Sequence, residues 1–88
     1  MPDPASQALP VDLVTRRGCH LCDTALALLR AAARDLPLEV RLRDVDAEPD
    51  LLALYDWRVP VVLVRDRPVA EGVITPLGLR DALRSAAA

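Results

Sequence analysis

Apolar and polar positions alternate along this chain with two different periods, and the switches between them mark out its elements. Val11-Asp12-Leu13-Val14-Thr15 is β-branched and apolar enough to predict a central strand. From about Cys19 to Arg34 the period lengthens. Leu21, Ala25, Leu28, Leu29 and Ala32 recur at helical spacing, while Asp23, Arg30 and Arg34 fall mostly off that stripe. Pro37 closes the helix. Leu38 to Arg43 alternates residue by residue, which predicts an edge strand with one wet face. A helical crossover makes that strand parallel to the first. Asp44 to Ala47 then leaves the sheet.

Pro49 suits the first turn of a second helix, with Leu51, Leu54 and Tyr55 as its apolar face and an end near Asp56. Val61 to Val64 is continuously apolar and predicts another central strand. Arg65 to Pro68 reads as a turn and Val69 to Glu71 as a short partner strand, making a hairpin. Thr75 is placed to cap the last helix, Pro76 to open it, and Leu79, Ala82, Leu83 and Ala86 to face inward. The order is βαβαββα. Two parallel strands and a hairpin predict an α/β fold, one four-stranded mixed sheet covered by three helices. Met1 to Pro10 holds three prolines and little periodicity. It is expected to be a flexible tail ahead of a domain over 11–88.

Composition narrows the function. With 88 residues, 52% hydrophobic and 27% charged, the chain fits one small globular domain. A net charge of −2 leaves no basic footprint for nucleic acid. There is no Phe, with one Tyr and one Trp, so no stacking platform for single strands exists. The longest apolar run, Val59 to Val64, is far short of a membrane span. The first ten residues lack the basic stretch and apolar run of a targeting segment. A monomeric cytoplasmic protein without nucleic-acid or membrane partners is expected.

The two cysteines, Cys19 and Cys22, stand two residues apart where the first strand gives way to the first helix. A Cys-x-x-Cys at such a junction is the arrangement of a dithiol redox centre. A helix start leaves about four N–H groups unpartnered and carries roughly half a positive charge, which stabilises a thiolate. An ordinary thiol, with a pKa of about 8.5, is only about 3% ionised at neutral pH. Cys19 comes first and faces the exposed helix end, so it is the expected nucleophile. Cys22, one turn on and on the face of Leu26, Leu29 and Ala33, is the expected resolving thiol and the more buried one. Gly18 lets the chain turn sharply. Arg16, Arg17 and an imidazolium at His20 would favour the thiolate.

Other readings of the pair are a structural zinc site, a structural disulfide and two unrelated buried cysteines. Zinc wants four ligands and the chain has two Cys and one His, so no metal site is expected. A disulfide this local would stabilise little. Trp57-Arg58-Val59-Pro60 precedes the central strand, and beside a Cys-x-x-Cys the Val59–Pro60 bond is expected to be cis. That turns the Val59 N–H and C=O toward an extended ligand near Cys19.

Taken together, Thr15 to Cys22 and Tyr55 to Val61 resemble the corresponding motifs of the glutaredoxin-like branch of the thioredoxin superfamily, from about Val11 to Leu83. The nearest resemblance is to small bacterial glutaredoxin-like proteins with a Cys-His-Leu-Cys site. It implies thiol–disulfide exchange at Cys19 and Cys22, a cis Pro60, and a substrate-binding set of Arg16, Val59, Pro60 and Gly72, with His20 and Arg17 modulating. It also implies protein or small-molecule disulfides as partners. Glutathione is expected as reductant or ligand, or a thioredoxin or glutaredoxin reductase as electron donor, with no bound cofactor. The chain departs from true glutaredoxins in carrying His20-Leu21 where they have Pro-Tyr. It also keeps one glycine, Gly72, after Glu71, where they have a Gly-Gly pair. Two alternatives are iron–sulfur cluster binding by a dimer, since a cluster needs four thiolates, and a non-catalytic thioredoxin-fold adaptor.

Overall fold

The computed structural model describes residues 8–87, so most of the expected tail lies outside the described residues. The elements run β1 (Leu9–Thr15), α1 (His20–Ala32), β2 (Leu38–Asp44), α2 (Pro49–Tyr55), β3 (Val61–Val64), β4 (Arg67–Glu71) and α3 (Pro76–Ala87). The strands form one sheet in the order β2-β1-β3-β4. β2 lies parallel to β1, and β3 and β4 are antiparallel to their neighbours. This is the expected four-stranded α/β fold.

Period-two alternation sends the central strands' side chains to two cores. Val11, Leu13, Val62 and Val64 meet Ala25, Leu29 and Ala32 of α1 and Leu79 and Leu83 of α3. Val14, Val61 and Leu63 meet Val45 and the α2 residues Leu51 and Tyr55 on the other face. Covering on both faces is why β3 carries no polar position. No helix among the described residues is long and apolar enough to cross a membrane.

Several boundaries depart from expectation. β1 starts at Leu9 rather than Val11, with the Leu9 N–H donating to Pro37 O at 2.7 Å. Pro10 is tolerated there because β1 pairs with β3 only over Asp12–Val14. α1 stops at Ala32, two residues before Arg34, where Arg34 and Asp35 donate to carbonyls three residues back and tighten the last turn. The hairpin turn is only Arg65 and Asp66, both at positive φ (52° and 64°), so β4 begins at Arg67. Leu21 (44% exposed) and Leu54 (60% exposed) are not core residues, because each lies off the stripe its helix buries. The polar face of β2 is not simply wet: Arg41 and Arg43 reach across to Asp12, which is buried on β1.

Candidate active site

The register carries three loops to one end of the sheet. Val14 opposes Val61, and Val61 opposes Glu71. The stretch after β1, the stretch before β3 and the stretch after β4 are therefore neighbours. Gly18, at φ +72°, makes the left-handed turn that delivers the chain into α1.

Cys19 is the N-cap of α1. Its backbone is extended (φ −99°, ψ 107°), and its Sγ accepts the Cys22 N–H at 3.2 Å. Its carbonyl accepts the first helical bond, from Asp23 N at 3.1 Å. A sulfur thus occupies the place a serine or aspartate oxygen takes in an ordinary cap, against the unpartnered N–H groups of the first turn. Cys19 is partly exposed and Cys22 is only 1% exposed; both are free thiols. Burial pushes the Cys22 thiol up, and its contact with Cys19 acts in the same direction, against smaller opposing hydrogen bonds from Thr15 and the Arg16 backbone. The pair is therefore asymmetric: one accessible sulfur at a positive helix end, and one buried thiol a turn below.

The Val59–Pro60 bond is cis, as expected, and Pro60 is buried. Gly72, also left-handed (φ +70°), donates its N–H to Pro60 O at 2.9 Å and ties the β4 exit to this loop. Among the described residues neither the N–H nor the C=O of Val59 makes a hydrogen bond.

Two arginines hold the loops together. Arg16 gives Nε and Nη2 to the Asp46 carboxylate, both at 2.9 Å, Nη2 to Asp56 Oδ1 at 2.6 Å, and Nη1 to the Asp56 carbonyl at 3.0 Å. The Asp46 and Asp56 carboxylates hold this guanidinium above its usual range, and Arg16 holds Asp46 below the usual carboxylate range. Arg58 forks onto Glu71 at 2.9 and 2.8 Å and lies 5.0 Å over the Tyr55 ring. That fork holds Glu71 below its usual range.

All the expected site residues fall at this end: Cys19, Cys22, Arg16, Val59, Pro60 and Gly72, with His20 and Arg17 exposed beside them. Among the described residues no group of three or more His, Cys, Asp or Glu could hold a metal ion. A shallow groove of about 490 Å³ runs past Gly18, Cys22, Leu26 and Leu42. A hollow of about 570 Å³ between Leu9, Leu36 and Leu83 lies at the opposite end of the sheet and holds no nucleophile. Sequence reasoning missed Asp46 and Asp56 as partners of Arg16, because those contacts span 30 and 40 residues. It also missed Trp57, which is 93% exposed.

The sequence model of the family described as glutaredoxin-like domain (DUF836) matches residues 10–84. No curated protein matches the chain. Among solved structures, thioredoxin 1 from the thermophilic eubacterium Thermosipho africanus TCF52B superposes with a TM-score of 0.64 at 15% identity, covering 88% of this chain and 92% of that one. At that identity the likeness establishes a thioredoxin-like fold.

Proposed function

The chain belongs to the glutaredoxin-like domain family, and on that premise we propose that it is a dithiol–disulfide oxidoreductase. The Cys19 thiolate attacks one sulfur of a substrate disulfide. The old S–S bond breaks, its electron pair leaves with the departing thiolate, and a mixed disulfide forms at Cys19. Cys22 then gives up its proton and attacks Cys19 Sγ. That releases the second substrate thiol and leaves a Cys19–Cys22 disulfide. The substrate gains two electrons and two protons, and the protein dithiol loses them. A thiol or dithiol reductant of the reducing cytoplasm reverses the balance and restores the pair.

The observation that carries this reading is the sulfur cap: Cys19 Sγ accepts the Cys22 N–H at 3.2 Å while Cys22 itself is buried one turn below. The first sulfur lies accessible against the N–H groups of the helix start, and burial raises the thiol of the second. Val59, with its free N–H and C=O, supplies backbone partners for an extended substrate segment.

The test is a pair of serine variants with a small peptide disulfide, followed by intact-mass spectrometry. Cys22→Ser should accumulate the mixed disulfide at Cys19, and Cys19→Ser should form no adduct. An adduct on Cys22 in the Cys19→Ser protein, at a rate matching wild type, would reverse the assignment. No adduct in either variant would remove the exchange reaction altogether.

A further inference from the structure

Resting on the exchange reaction above, we propose that this site selects uncharged polypeptide cysteines flanked by apolar side chains, and discriminates against anionic thiols such as glutathione. Two independent observations lead there. The first is charge. A thiol carrying carboxylates is recognised by cations near the reacting sulfur, and two of the three arginines on these loops are already engaged. Every nitrogen of the Arg16 guanidinium donates to Asp46 or Asp56. Arg58 is forked onto Glu71. Arg17 is the remaining arginine on these loops, exposed and without an ion pair among the described residues. Against these three stand the carboxylates of Asp23, Asp46, Asp56 and Glu71. A ligand carboxylate therefore enters a region where these acids outnumber the arginines, and beyond Arg17 it gains an arginine only by displacing an internal partner.

The second observation is the distribution of apolar surface. Of the seven large hydrophobic residues left exposed among the described residues, four stand at this end: Leu21 in the first turn of α1, Trp57 (93% exposed), Val73 (79%) and Leu77 (77%) in the first turn of α3. Single exposed hydrophobics need no explanation, but a group of them on the loops and helix starts at one end of the sheet does. Two links set this group in place. Arg58 binds Glu71, and Gly72 N–H binds Pro60 O. Trp57 precedes the first link and Val73 follows the second, so the two bracket the loop that presents the Val59 backbone. An extended peptide running along Val59 would set the side chains next to its cysteine against Trp57 on one side and Val73 on the other. An exposed indole is the side chain best suited to that role, offering a large rigid apolar face at little entropic cost.

Single-turnover oxidation of the reduced protein separates the alternatives. The probes are oxidised glutathione and the symmetrical disulfides of acetyl-Leu-Cys-Leu-amide and acetyl-Ser-Cys-Ser-amide. Each rate is divided by that probe's rate with dithiothreitol, which removes intrinsic disulfide reactivity. The leucine peptide should exceed oxidised glutathione by about tenfold or more, with the serine peptide between them. Trp57→Ala should lower the leucine-peptide rate about threefold or more and leave the serine peptide nearly unchanged. Asp23→Asn removes a carboxylate that takes part in neither link, and should raise the glutathione rate relative to the leucine-peptide rate severalfold. Raising ionic strength from about 0.01 to 0.15 M shortens the screening length from about 30 to 8 Å, and should narrow the gap by raising the glutathione rate. If every probe reacts but the normalised rates are equal, or glutathione leads, the selectivity is wrong and the exchange reaction stands. If no probe oxidises Cys19, both fall together.

Discussion

Gly18→Ala tests the geometry that sets Cys19 at the helix end. Gly18 sits at φ +72°, and a Cβ built there meets nothing within 4 Å. The substitution therefore introduces backbone strain and no clash. Left-handed backbone costs an L-residue about 1–2 kcal/mol. Replacing glycine also restricts the unfolded chain, which offsets about 0.4–1 kcal/mol. The balance is a loss of about 1 kcal/mol, or roughly 4–8 °C in Tm for a domain of this size. Thermal melts followed by circular dichroism would measure it on the reduced protein. Gly18→Asn should lose less, since asparagine tolerates this region better than alanine does. The same strain has a chemical readout. A backbone relaxing away from +72° pulls Cys19 off its cap and should slow its alkylation by iodoacetamide in Gly18→Ala relative to Gly18→Asn. A Tm that rises in Gly18→Ala would mean that the chain does not turn left-handed at this residue, and the argument for the capped sulfur would lose its support.

Two further outcomes bear on the charges. Burial raises the Cys22 thiol above its ordinary range, so in the reduced protein this group favours folding below its unfolded pKa and loses that contribution as pH rises past about 8.5. Urea midpoints of the reduced protein should fall through that range while those of Cys22→Ala stay flatter; parallel curves would contradict the burial argument. Asp46 lies below its usual range because Arg16 hydrogen-bonds it, so its contribution is present above the unfolded pKa and is lost as pH falls through the lowered folded value. Arg16→Gln should remove that part of the acid dependence below about pH 4, with Arg16→Lys intermediate because it keeps the charge and not the fork. Superimposable acid-unfolding curves for Arg16→Gln and wild type would show the clasp to be inert.

The parts of this molecule legible in its sequence are those set by near neighbours. Thr75 caps α3 by accepting the Gly78 N–H at 3.1 Å, three residues on. Cys19 caps α1 in the same way, and Val61 to Val64 could only be a strand covered on both faces. The cis Pro60 was legible only in combination, since a proline before a strand says little without a dithiol opposite it. What stayed hidden depends on distant pairing. Arg16 reads locally as a free cation beside a thiol, and only the fold brings Asp46 and Asp56 to it. Asp12 reads as a polar interruption in an apolar strand until Arg41 and Arg43 arrive from β2 to pair with it. The Arg65–Asp66 turn carries no glycine to announce its left-handed backbone. Leu21 and Leu54 fit a helical period on paper, but the sheet buries a narrower stripe than the period allows.

Trp57 is the chain's one tryptophan, and nearly all of its surface is in water. The molecule therefore carries its own optical reporter, placed two residues from Val59. From that exposure its resting emission is expected to be that of a hydrated indole. Any segment that settles over it shifts that emission to the blue, so occupancy of this end of the sheet can be followed in real time with no label attached.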